Sequence, residues 1–155
     1  MVMGIYWLSS DAGTGKAEFP LGGKLPEFVV ELADGSRLQA GSEVLVLNFW
    51  ASYCAPCREE APILSAAHAK EAGAVRVIGL SIEGLPRDKM LQAARELGMR
   101  YPLAGVDAAF LSRLRVRALP TTYVIARDGV ITLSRIGAVT DRELSAAIAS
   151  AKRRG

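Results

Sequence analysis

The sequence predicts an α/β fold: a central mixed sheet flanked by helices, with a β-hairpin ahead of it. Three observations point there. The run Val44–Trp50 is almost wholly apolar, the pattern of a strand covered on both faces. Strand and helix signals then alternate, which implies crossover connections and parallel pairing. Two Asp-Gly pairs, Asp34–Gly35 and Asp128–Gly129, each lie between strand-like runs, as hairpin turns do. A chain of 155 residues suits one domain with one core. Half of it is hydrophobic and 23% is charged, which fits neither a disordered chain nor a membrane-embedded body. The net charge of +3 is modest and makes no case for nucleic acid.

The elements follow in order. Met1–Leu8 is apolar but lacks a basic start and is too short to span a bilayer. It reads either as the trimmed end of an anchor, with Tyr6 and Trp7 at an interface, or as a tail packed on the domain. Ser9–Ala17 reads as a linker, so residues 1–19 are assigned to tail and linker and 20–155 to the domain. Gly13–Thr14–Gly15–Lys16 imitates a phosphate loop, but that pattern needs glycine at 10 and Ser or Thr at 17. The chain has Ser10 and Ala17 there. Phe28–Leu32 and Ser36–Ala40 make the first hairpin, and Val44–Trp50 the central strand. A helix is expected over Ala55–Glu71, closed by Gly73 and kinked at Pro62. Val75–Ile82 is the next strand. Pro86 opens a helix to Leu97, stopped by Gly98. Asp107–Leu114 is a short helix, and Thr121–Ala126 and Val130–Ile136 form the second hairpin. Thr140-x-x-Glu143 is a capping box for a last helix that runs to about Lys152.

The chemistry lies in Trp50–Ala51–Ser52–Tyr53–Cys54–Ala55–Pro56–Cys57, which holds the only two cysteines. If a helix starts at Cys54, both cysteines share one face. That separation suits a disulfide. Cys54 would then sit at a helix N-terminus, where the dipole and free N–H groups favour thiolate, the species that attacks disulfides. Ala55–Pro56 adds no charge, so the thiolate is expected to be less stabilised and the couple more reducing. Pro56 also fits a first helical turn. A structural zinc site needs about four ligands, and His68 is the only histidine. Arg58 stands where haem attachment through CxxCH needs histidine. His68 reads as a surface residue. Arg113, Arg115 and Arg117 read as a solvated face or as a steering patch for an acidic partner.

Asn48–Phe49–Trp50–Ala51, the Cys54-x-x-Cys57 pair, Pro62 and Leu119–Pro120–Thr121–Thr122 together resemble the thioredoxin superfamily, and within it the TlpA/ResA-like thiol-disulfide oxidoreductases. The resemblance covers about residues 25–150. It implies a thioredoxin-like fold, a nucleophilic Cys54 and a resolving Cys57, with the disulfide itself as the only cofactor. It implies a cis peptide before Pro120, facing the disulfide, with the backbone of Leu119 pairing to an extended substrate. Thr121 is assigned to the same substrate-binding surface, and with Thr122 it continues the strand. Glu60 matches the acidic residue that ResA-like proteins place beside the active site, and Asn48 stands where thioredoxins bury an aspartate. Burial would raise the Glu60 pKa and fit it for proton transfer with Cys57. Tyr53 replaces the usual tryptophan and is expected to border the disulfide with Trp50, which reads equally well as a core residue. Pro56 completes the substrate-facing set.

The implied partners are protein disulfides or dithiols, including apocytochrome c CxxCH sites, and a thiol electron donor, membrane-linked or thioredoxin-type. A monomer in the cell envelope is expected, with the cytoplasm as the alternative compartment. In CcmG-like relatives the usual Gly-Ala-Pro-Glu is Ala118–Leu119–Pro120–Thr121 here. Two other functions are open on the residues. A peroxiredoxin-type peroxidase normally uses Thr-x-x-Cys, and Ala51 replaces that threonine. A non-catalytic binding module would keep its function without either cysteine.

Overall fold

The computed structural model describes residues 19–155. The apolar start, the linker and the Gly13–Lys16 stretch lie outside the described residues. A short hairpin pairs β1 (Val29–Glu31) with β2 (Arg37–Gln39) as a separate two-stranded sheet. Its turn closes because Gly35 takes φ +86° and Asp34 Oδ1 accepts from the Ser36 amide at 2.8 Å. The main sheet has the order β5–β4–β3–β6–β7, built from Leu103–Gly105, Val75–Ser81, Val44–Trp50, Thr121–Ile125 and Ile131–Ile136. β3 pairs in parallel with β4 and antiparallel with β6, so the sheet is mixed as expected.

Four helices complete the fold among the described residues: α1 (Ala55–Lys70), α2 (Arg87–Glu96), α3 (Ala108–Arg113) and α4 (Asp141–Lys152). Strand alternation sorts the core into two layers. Val44, Val46 and Trp50 of β3 face Ala61 and Leu64 of α1, with Met90 of α2 and Leu144 and Ile148 of α4 in the same layer. Leu45, Leu47 and Phe49 point the other way, into a layer with Phe28 and Leu38 of the hairpin, Phe110 of α3 and Leu114 just after it. The capping box of α4 is formed: the Glu143 amide donates to Thr140 Oγ1 at 3.1 Å, and the Thr140 amide to Glu143 Oε2 at 3.0 Å. α1 runs through Pro62, which sits on its exposed side. Among the described residues no helix is long and apolar enough to cross a membrane.

Three expectations are corrected. β5 was not anticipated, because Leu103–Ala104–Gly105 has neither period nor β-branched residues; its place is set by pairing with β4. Phe19, assigned to the tail, is only 8% exposed and packs edge-on against Tyr123, so it belongs to the domain. His68 is half-buried on α1, with Nδ1 covered by the fold.

Candidate active site

The apolar run of β3 delivers the chain to the C-terminal edge of the sheet, where Ala51–Tyr53 turns it into α1. Cys54 is the N-cap of α1, in extended conformation, and its Sγ accepts from the Cys57 amide at 3.3 Å. The two cysteines form a disulfide with Cα atoms 5.3 Å apart. Cys54 retains 7% exposure, whereas Cys57 has none. Of the two, Cys54 is the one that an incoming disulfide could reach. The same N–H that bonds the sulfur, with the positive end of the helix, stabilises negative charge on Cys54.

The turn before Cys54 is held by a residue the sequence did not single out. Glu83, after β4, accepts from the Ser52 amide and the Ser52 hydroxyl, both at 2.7 Å. These partners are 31 residues apart, and no local pattern joins them. Tyr53 is 74% exposed beside Cys54, where it can touch a docked substrate. Pro56 lies exposed in the first turn of α1. Trp50, in contrast, is fully buried in the layer beneath the disulfide. It supports the cysteines from below, and the expectation that it contacts substrate is corrected.

Glu60 follows one turn after Cys57 on the inner side of α1 and is wholly buried. Its Oε1 accepts from Asn48 Nδ2 at 2.5 Å and its Oε2 from the Val139 amide at 3.1 Å. Asn48 Nδ2 also donates to Thr122 Oγ1 at 3.1 Å, across the β3–β6 pair in which Asn48 opposes Thr122. Burial drives the Glu60 pKa up from 4.5 to about 7, and the two accepted hydrogen bonds limit the rise. A carboxyl with that pKa exchanges a proton readily near neutral pH.

The peptide Leu119–Pro120 is cis, as the resemblance implied. Pro120 is buried and Leu119 half-buried at the start of β6. Thr121 is corrected: it is 1% exposed and its hydroxyl donates to the Ala118 carbonyl at 2.7 Å, so it braces the loop and offers substrate nothing. Thr122, read as plain strand, instead completes the polar contact around Asn48. Arg113 and Arg115 lie over the rings of Phe110 and Phe19, at 5.8 and 4.7 Å from the centroids.

Comparison with known proteins identifies the family. The redoxin family matches residues 20–149. The thioredoxin-like protein YneN of Bacillus subtilis is 28% identical over 128 residues, 79% of this chain and 75% of its own. The thiol-disulfide oxidoreductase ResA of the same organism is 26% identical over 142 residues, 88% of this chain and 78% of its own. The crystal structure of a DsbF homologue from Corynebacterium diphtheriae superposes with a TM-score of 0.72 at 19% identity, over 92% of this chain and 95% of that one. The chain belongs to the redoxin family, as a TlpA/ResA-like member of the thioredoxin superfamily.

Proposed function

We propose that this chain is a thiol-disulfide oxidoreductase that passes electrons to disulfides of exported proteins, apocytochrome c CxxCH sites among them. One observation carries the reading: a disulfide whose first sulfur caps a helix and stays reachable, while the second is buried one turn from a carboxyl that burial pushes up to about 7. In the reduced enzyme, Cys54 thiolate attacks the target disulfide. A Cys54–target bond forms, and the displaced target sulfur takes a proton. Glu60 then accepts the Cys57 proton, and Cys57 thiolate attacks Cys54. The enzyme disulfide closes and the target leaves as a dithiol, two electrons richer. A membrane-linked or thioredoxin-type thiol donor reverses the enzyme's half of the reaction. Tyr53, Pro56 and the backbone of Leu119 form the docking surface.

The uncharged Ala55–Pro56 pair supports the reducing direction, because thiolate stabilisation then rests on the helix terminus alone. The reading takes the protein to act as a monomer in the cell envelope. Fractionation with an antibody against this chain is expected to find it with envelope proteins; recovery with cytoplasmic markers would assign the cytoplasm.

The decisive test is an equilibrium titration of Cys54/Cys57 against thiol buffers of known potential, read by alkylation. The expected result is a reversible two-electron couple below the glutathione range. A strongly oxidising couple would reverse the direction of the reaction. The absence of any reversible couple would overturn the enzyme. Cys57→Ser is expected to accumulate a mixed disulfide through Cys54, and Cys54→Ser none.

A further inference from the structure

Four buried polar atoms in the layer behind the disulfide have no hydrogen-bond partner among the described residues: Asn48 Oδ1, Trp50 Nε1, Ser81 Oγ and the Tyr101 hydroxyl. Buried polar groups are rarely left so, and a cluster of them marks a shared contact. Register places them together. Asn48 opposes Gly79 across β3 and β4, and Trp50 opposes Ser81. Gly79 has no side chain, and Tyr101 and Trp50 close over it. A Cβ there would lie 3.0 Å from Tyr101 Cε2 and 3.1 Å from Trp50 Nε1. An unpaired acceptor, Asn48 Oδ1, and two unpaired donors, Trp50 N–H and Tyr101 O–H, thus belong to side chains that gather around Gly79. The other end of the same amide, Asn48 Nδ2, holds Glu60.

We propose that Tyr101 is a positioning residue for Glu60: across one bridging water its hydroxyl donates to Asn48 Oδ1 and so holds the amide with Nδ2 toward the carboxylate. A water between them would take Tyr101, Asn48 and Trp50 as partners, the two to four that a buried water needs. The chain of donors then runs Tyr101, water, Asn48, Glu60, each bond polarising the next. Without it only Glu60 and Thr122 hold the amide, and because the Thr122 hydroxyl can donate as well as accept, the amide can turn, present Oδ1 to Glu60 and favour the protonated acid. The proposal rests on the oxidoreductase reading for its purpose, since Glu60 is where the Cys57 proton goes.

The titratable groups in question are few. Cys57 lies on the same helix as Glu60, and Tyr101 precedes β5. β3 presents Asn48, β6 presents Thr122, and the segment before α4 presents the Val139 amide, none of which titrates in the relevant range. Burial, and then the charge of Glu60, push the Tyr101 pKa up, so the hydroxyl keeps its proton and remains a donor.

The test is carboxyl ¹³C NMR of glutamate-labelled, oxidised protein against pH, with Glu60→Gln identifying the resonance. Tyr101→Phe keeps the ring and its packing. It is expected to raise the Glu60 midpoint by about one pH unit, the scale of one hydrogen bond to a charged group. An unchanged midpoint overturns the proposal. In an Asn48→Ala background the same substitution is expected to shift nothing further; a full shift there overturns the route through Asn48. If Asn48→Ala does not fold, Tyr101→Phe decides alone. No thiol reacts in this measurement, so its failure leaves the redox titration free to support or refute the activity.

Discussion

Glu60 has no exposed surface, yet both of its carboxyl oxygens accept hydrogen bonds. Burial favours the neutral acid and the bonds favour the carboxylate, and burial wins by enough to bring the pKa to about 7. In the unfolded chain the group titrates near its ordinary 4.5. Between these values the native state holds a proton that the unfolded state has released. Stability is therefore highest below the lower value, falls as pH rises through the window, and levels off above 7. The whole loss is about 3 kcal/mol. Glu60→Gln is expected to flatten this profile, as measured by urea denaturation of oxidised protein between pH 4 and 8 (roughly the titration window). Parallel profiles for the two proteins would show that Glu60 is not raised. The same variant is expected to change the pH dependence of disulfide exchange; an identical rate profile would remove Glu60 from the reaction.

Each element of the site is held at its ends. α1 begins at the nucleophile itself, so helix formation and sulfur activation share one set of N–H groups. The strand β4 contributes through a gap: Gly79 lets Tyr101 and Trp50 approach the sheet closely. Gly79→Ala would place a Cβ 2.8 Å from Leu103 Cδ2 as well, and is expected to cost about 1–3 kcal/mol by overpacking. Equilibrium denaturation measures this, and a neutral result would show that β5 and Tyr101 can give way. α4 is held by its capping box. Thr140→Ala is expected to lose about 1 kcal/mol in the same measurement while leaving the redox potential unchanged, because α4 carries no reacting atom.

Among the described residues the five-stranded sheet is buried on both sides, and its central strand feeds both layers. Val46, Asn48 and Trp50 alternate with Leu47 and Phe49, so a one-residue slip of β3 would send Asn48 away from Glu60. The register that fills the core therefore also builds the proton site. Leu47 has no exposure, and Leu47→Ala is expected to cost about 2–5 kcal/mol through lost burial and a residual cavity. A cost well below that, read from the denaturation midpoint, would mean that the layer under the hairpin collapses around the gap.

The sequence by itself determined the elements whose signals are local: the apolar strand, both Asp-Gly turns, the capping box, and a cysteine pair at a helix start. Each depends on period, backbone preference or a partner within a few residues, so it can be read without the fold. The family resemblance added the cis Leu119–Pro120 bond and singled out Glu60. Only the tertiary structure decided which residues share a contact. Val139 meets Glu60 from 79 positions away and Thr122 meets Asn48 from 74. Trp50 proved to be core and Thr121 a loop brace, because burial is a property of everything packed around a residue. β5 and Phe19 were missed for the same reason: a short edge strand and a single aromatic have no pattern of their own, and only the sheet they join places them.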